Sequence, residues 1–244
     1  MNVTKMLFGN SVLYFMLYFL FALWAFWPTY YSNPFRVTQA NVHVHGILMT
    51  CWCLMLITQA TLIRFKKNKL HKTVGKLSYG LVPLILISGV NVAHFNMTHD
   101  TNVPLENYYS DFGHLYIAFA AFAILYGLAI WFRKDSVTHA RYMVCTLFPA
   151  FTPVFSRLIH NNFDFILPVL PEMNGIPVVQ LIGFGLADIL LLTLCILDWR
   201  KRKKWNGFPV AFLIILGYHL SDFTLYRFEA WRKFVDWVMS LPLS

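Results

Sequence analysis

Charge is what this chain has least of. Of its 244 residues only 13% are Asp, Glu, Lys or Arg, while 58% are hydrophobic. A water-soluble domain carries about a quarter charged residues, so this composition excludes an ordinary soluble enzyme and points to a polytopic membrane protein. Cysteine is missing from every connecting segment: Cys51, Cys53, Cys145 and Cys195 all lie inside apolar runs. A disulfide framework and a zinc knuckle are thereby excluded. Cys51 and Cys53, two apart on one helix, point to different sides and are not expected to pair. No G-x-S-x-G, no H-E-x-x-H and no phosphate-binding loop occurs, so none of the familiar catalytic signatures names a substrate. The apolar run Ser11–Trp27 is followed by no small-residue cleavage site, and it is expected to remain as a helix rather than be removed as a signal peptide.

What is present is a set of long apolar runs near the ~20 residues that cross a bilayer as a helix. Breaks rich in charge or in Pro, Gly and Asn divide them into seven: Ser11–Trp27, Val42–Ile63, Val74–Phe95, Gly113–Phe132, Thr138–His160, Pro177–Leu197 and Phe208–Thr224. The expected fold is all-α, a polytopic bundle of about seven transmembrane helices, with residues 1–225 as one domain. Pro83 and Pro153 fall inside segments and predict kinks, which neighbouring helices or hydroxyls can satisfy in a membrane.

The net charge of +9 follows membrane orientation and does not call for nucleic acid. The stretches RFKKNKLHKTVGK, RKDSVTHAR and RKRKK, after the second, fourth and sixth segments, hold fourteen of the twenty Lys and Arg; the alternate loops hold one. By the positive-inside rule the first set is cytoplasmic, which places the N-terminus inside, the C-terminus outside, and the protein in a membrane, expected to be a bacterial inner membrane. The stretch SDFTLYRFEAWRKFVDWVMSLPLS, which ends in the tail of residues 226–244, is amphipathic: Phe223, Tyr226, Ala230, Phe234, Trp237 and Leu241 recur at three and four residues. It predicts either a helix lying in the outer interface or a continuation of the seventh segment.

Direction gives each histidine a depth at ~1.5 Å per residue. His43 and His45 open the second segment at its outer end, His94 closes the third, His114 opens the fourth, His160 closes the fifth, and His219 lies in the outer half of the seventh. Six of the nine histidines thus fall on one side. Asp111 and His114, His219 and Asp222, Asn91 and His94, and Arg157 and His160 are i, i+3 pairs that share a helix face. Carboxylate and imidazole at this spacing, projecting inward, is how helical metal sites are built. His43, His45, His94, His114, His160, His219, Asp111 and Asp222 are therefore the candidate metal ligands. Intramembrane carboxylates are functional candidates because leaving them unpaired is costly. Asp188, the deepest acid, is expected to pair with Arg157, Gln59 or a histidine. Against this stands the plainer reading, in which a histidine at a helix end meets the headgroup boundary; His99 is assigned to it. His43 and His45 stand ~200° apart on a helix, so one of them is expected to face away from any shared site. On the cytoplasmic side, His71 and His139 are either second-site ligands or partners of anionic lipid headgroups.

LHKTVGKLSYG and HARYM, followed by SRL, resemble motifs of a group of bacterial multi-helix membrane proteins over roughly residues 42–160; that resemblance implies no particular chemistry. The alternation of histidines also resembles the di-haem transmembrane b-type cytochromes. That resemblance implies an outer haem b between His45 (or His43) and His114, and an inner one between His71 and His139. His94, His160 and His219 have no role in that pattern.

Three functions follow as expectations. The first is a redox protein holding haem b or another redox metal, exchanging electrons with a quinone or periplasmic partner, with abundant aromatics (18%) walling the site. The second is a non-haem enzyme, a hydrolase or oxidase, in which zinc, iron or copper activates water. The third is a non-catalytic accessory or lipid-interacting subunit whose histidines are interfacial.

Overall fold

In a computed structural model the described residues are 9–36, 39–99, 105–173, 176–203 and 205–243. They are almost entirely helical. In chain order the helices are α1 (Ser11–Phe26), α2 (Ala40–Arg64), α3 (Asn68–Gly75), α4 (Ser78–His99), α5 (Leu105–Trp131), α6 (Ser136–Cys145), α7 (Phe148–Asn162), α8 (Val179–Arg202), α9 (Phe208–Thr224) and α10 (Glu229–Met239). A two-residue antiparallel pairing, β1 (Glu172–Met173) with β2 (Ile176–Pro177), interrupts the loop before α8. Among the described residues seven spans are long and apolar enough to cross a membrane: Ser11–Tyr31, Ala40–Arg64, Asn68–His99, Tyr108–Trp131, Ser136–Asn162, Val179–Arg200 and Phe208–Arg227. Their outer faces carry exposed Leu17, Leu20, Ile47, Ile87, Ile189 and Leu213, as lipid-facing helices do. The chain is an all-α integral membrane protein.

The boundaries differ from the apolar runs where packing or proline intervenes. The fifth run is two helices, α6 and α7, separated at Thr146 and Leu147. Pro149 has no N–H to give the Cys145 carbonyl, and at the break Thr146 Oγ1 donates to the Met143 carbonyl (2.7 Å). Pro83 and Pro153 lie inside continuous helices. The fourth run reaches back to Leu105, eight residues before the apolar run begins, because Tyr109 and Phe112 of its polar first turns are gripped by the tail. Trp231 Nε1 donates to the Tyr109 carbonyl (3.1 Å) and the Tyr109 hydroxyl donates to Asp236 (3.2 Å).

The chain divides into two compact units, residues 1–88 with 153–181, and residues 89–152 with 182–244. In the first, α1 buries Ala25 against Val154 and Leu158 of α7, with Phe21, Phe26 and Phe163 around them. Asn161 Nδ2 donates to the Ala25 carbonyl (2.9 Å). A π-helical turn, Trp27–Tyr31, ends the first span. It presents Tyr30 to Gly46 of α2, where a Cβ would stand 2.9 Å from the ring, and Tyr31 to Thr50 (2.7 Å). Gly46, lacking a Cβ, permits this close approach.

In the second unit α5 packs on α9 and α6. Ala118 and Ala121 of α5 meet Phe184 of α8 and Tyr218 of α9, a small-against-aromatic core. At the other end of these helices Arg141 donates to both carboxylate oxygens of Asp198 (Nε to Oδ2, 2.9 Å), and Tyr142 donates to Asn206 Oδ1 (2.5 Å). Arg141 and Asp198 are each 2% exposed. The HARYM stretch thus serves as a clamp. The tail is docked by Val235 and Val238, buried with Phe112, and by Asn91 Nδ2 donating to the Leu243 carbonyl (2.5 Å). Phe234 and Trp237, the stripe that sequence periodicity selects, are exposed. The helix therefore shows valines to the protein and aromatics outward, as an interfacial helix does.

Candidate functional site

Two histidine–carboxylate contacts stand side by side in the second unit. The first joins α8 and α9: His219 Nδ1 is 3.0 Å from Asp188 Oδ1. A carboxylate only accepts, so the proton belongs on Nδ1 and the lone pair on Nε2. The second joins α5 and α9: His114 Nδ1 lies 3.2 Å from the Tyr218 hydroxyl and 3.7 Å from Asp222 Oδ2. Phe184 binds the two together, stacked on His219 at 4.0 Å between ring centroids and tilted against His114 at 5.7 Å.

Sequence geometry explains the convergence. His219 and Asp222 are i, i+3 on α9 and so share a face, and Tyr218, next to His219, is turned toward α5. Counting at ~1.5 Å per residue from the nearer ends of their spans, His114, Asp188 and His219 lie ~9–14 Å deep. The three helices thus bring their polar groups to a common level. Cost accompanies this placement, since His219 and Asp222 are 3% and 6% exposed. His219 Nε2 and Asp222 Oδ1 are buried and have no hydrogen-bond partner among the described residues. An unsatisfied buried polar atom costs about 1–3 kcal/mol, more for a charged one, so two on adjacent turns of one helix require an explanation.

The remaining candidate residues have other surroundings. His45 Nδ1 is 3.1 Å from Ser88 Oγ, which donates to the Ile85 carbonyl; His43 Nδ1 is 3.4 Å from the Tyr30 hydroxyl. The two neighbouring histidines therefore turn to different partners, as their angular separation predicts. His45 belongs to the first unit and His114 to the second. His94 is buried on α4 and Asp111 is half-buried one turn before His114. His160 is exposed and its Nδ1 donates to the Ser156 carbonyl of its own helix (2.9 Å); Arg157 is exposed beside it. His99, likewise exposed, donates to the Phe95 carbonyl (2.9 Å) and stacks on that ring.

In the first unit the Gln59 amide, in the orientation its neighbours require, donates its nitrogen to His71 Nδ1 and to the His71 carbonyl, and its oxygen accepts from Gly75 N–H at 3.0 Å. His139 Nδ1 donates to the Ala129 carbonyl at the end of α5 (2.7 Å). Both are engaged in joining helix ends.

Sequence reasoning reached His114, His219, Asp222 and Asp188 but missed Tyr218 and Phe184, which complete the cluster. Nothing in their spacing marks Phe184; Tyr218 had one available signal, its place directly before a histidine. Among the described residues, no three His, Cys, Asp or Glu side chains stand ready as a metal-holding group; the preset pair is His219 with Asp222. No family model, curated protein or solved structure matches the chain.

Proposed function

We propose that this protein is a membrane-embedded metalloprotein of redox type, with a single non-haem metal ion bound in the second unit by His219 Nε2 and Asp222 Oδ1. One observation carries this reading: those two atoms are buried without partners on one helix face, and a bound cation would satisfy both. Asp188 behind His219 is the outer-shell carboxylate that orients ligating histidines and raises their basicity. An imidazole with a carboxylate is a donor pair that suits iron, so iron is the metal proposed, with copper or zinc as the competing ions.

The chain's own residues would then divide the work. Asp188 fixes the His219 tautomer, the Tyr218 hydroxyl holds a proton next to His114, and Phe184 with Ala118 and Ala121 keeps water out. Bound iron would supply one-electron chemistry at that point. The placement in the outer half suits a quinone or a periplasmic partner in a bacterial inner membrane.

The test is the visible and electron paramagnetic resonance spectrum of the detergent-purified protein, as isolated and after dithionite. A redox-responsive iron or copper signal that disappears in His219→Ala supports the reading. A Soret band with sharpened reduced α and β bands would replace it with a haem b reading, and a metal-free protein would leave the accessory-subunit reading.

A further inference from the structure

The first 99 residues contain no Asp or Glu at all. In the unit formed by residues 1–88 and 153–181 the only acids are Asp164 and Glu172, both in the loop after α7. That loop follows the end of the fifth span, whereas the cations of this unit cluster where the second span ends and the third begins. There Arg64, Lys66, Lys67, Lys69, Lys72 and Lys76 occur within thirteen residues. Within its own unit the cluster has no carboxylate on its side of the membrane.

Its geometry is built by a helix stop. Lys66 takes a left-handed backbone, φ 58°, and the amides of Lys66 and Lys67 return to the Ile63 and Leu62 carbonyls (2.9 and 2.8 Å), the closing pattern of a Schellman turn. The chain then reverses into α3, a helix none of whose residues is buried. Lys66, Lys67, Asn68, Lys69 and Leu70 line an open concavity of about 450 Å³. Exposed Phe65 directly precedes Lys66, and exposed Leu70 is part of the lining. Three ammonium groups and an amide at the end of a membrane span, with apolar side chains beside them, match the chemistry of a lipid: an anionic phosphodiester above acyl chains. Juxtamembrane lysines attract anionic lipid at about 1 kcal/mol each.

We propose that this concavity is a binding site for an anionic phospholipid headgroup, formed by Lys66, Lys67 and Lys69. The histidine of the same stretch takes no part, since His71 is held by Gln59. The proposal stands apart from the metal site.

The test is native mass spectrometry of the full chain in detergent, titrated with phosphatidylglycerol or phosphatidylcholine. The wild type is expected to bind phosphatidylglycerol about 100-fold more tightly than phosphatidylcholine, given three lysines near the headgroup. The triple variant Lys66→Gln/Lys67→Gln/Lys69→Gln should lose that preference, and the variant Arg133→Gln/Lys134→Gln/Lys203→Gln, with the same charge change elsewhere, should keep it. Equal affinity of the wild type for the two lipids would overturn the proposal. So would equal loss in both triple variants, which is diffuse attraction, or displacement of the lipid by millimolar inorganic phosphate, which is a site for a free anion. Unchanged thermal unfolding of the variants excludes misfolding as the cause.

Discussion

Asp188 of α8 and His219 of α9 meet at 3.0 Å, and the imidazole atom pointing away from that contact is buried with no hydrogen-bond partner among the described residues. On the proposed reading the contact orients this histidine toward a metal. Asp188→Asn should therefore leave the fold intact and weaken metal binding by about 10–100-fold, the usual effect of removing an outer-shell carboxylate. Titration of metal-stripped protein with Fe(II) reports it; an unchanged affinity would make Asp188 a packing residue.

His160 gives the contrasting case. Its ring donates to its own helix at Ser156 and is exposed, so His160→Ala is expected to change neither metal content nor the thermal unfolding midpoint. His99→Ala should behave alike. Metal loss in either would enlarge the site beyond the second unit's cluster.

The Arg141–Asp198 pair, with side chains 2% and 3% exposed, should be expensive to break. Asp198→Ala leaves a buried guanidinium and should cost about 3–5 kcal/mol. Replacing both by Leu removes the uncompensated charge and should recover most of that loss. Thermal unfolding in detergent compares them; a double variant as unstable as the single would contradict the clamp.

Tyr30 against Gly46 makes a steric prediction. Gly46→Ala places a Cβ about 3 Å from the ring and should destabilise by roughly 1–3 kcal/mol, as overpacking does. In a Tyr30→Ala background the same change should be nearly neutral, because the clashing ring is gone. Equal penalties in both backgrounds would locate the strain elsewhere.

Much of the fold was legible because hydrocarbon imposes one rule, that backbone groups be satisfied within the helix, and the apolar runs record it. Boundaries were less so. Pro149 broke the fifth run at a residue whose neighbours are as apolar as any helix interior. The polar turn at Leu105 continued because Trp231 and Asp236, more than 120 residues away in sequence, hold Tyr109.

The candidate site was legible by side and residue type, not by partner. Helical spacing put His219 and Asp222 on one face, but the carboxylate that reaches His114 is Asp222 of α9, not its i, i+3 neighbour Asp111. That pairing depends on how α5 and α9 are rotated, which no local pattern encodes. The tail shows the same limit: periodicity selected Phe234 and Trp237, while burial selected Val235 and Val238.

The measurement that tests the central claim most directly is metal content by inductively coupled plasma mass spectrometry. It should compare full-length wild type, His219→Ala, Asp222→Ala and His160→Ala, purified side by side in detergent. One iron per chain in the wild type and in His160→Ala, with none in the other two, is the predicted result. The same metal content in all four proteins, or none in any, would contradict it.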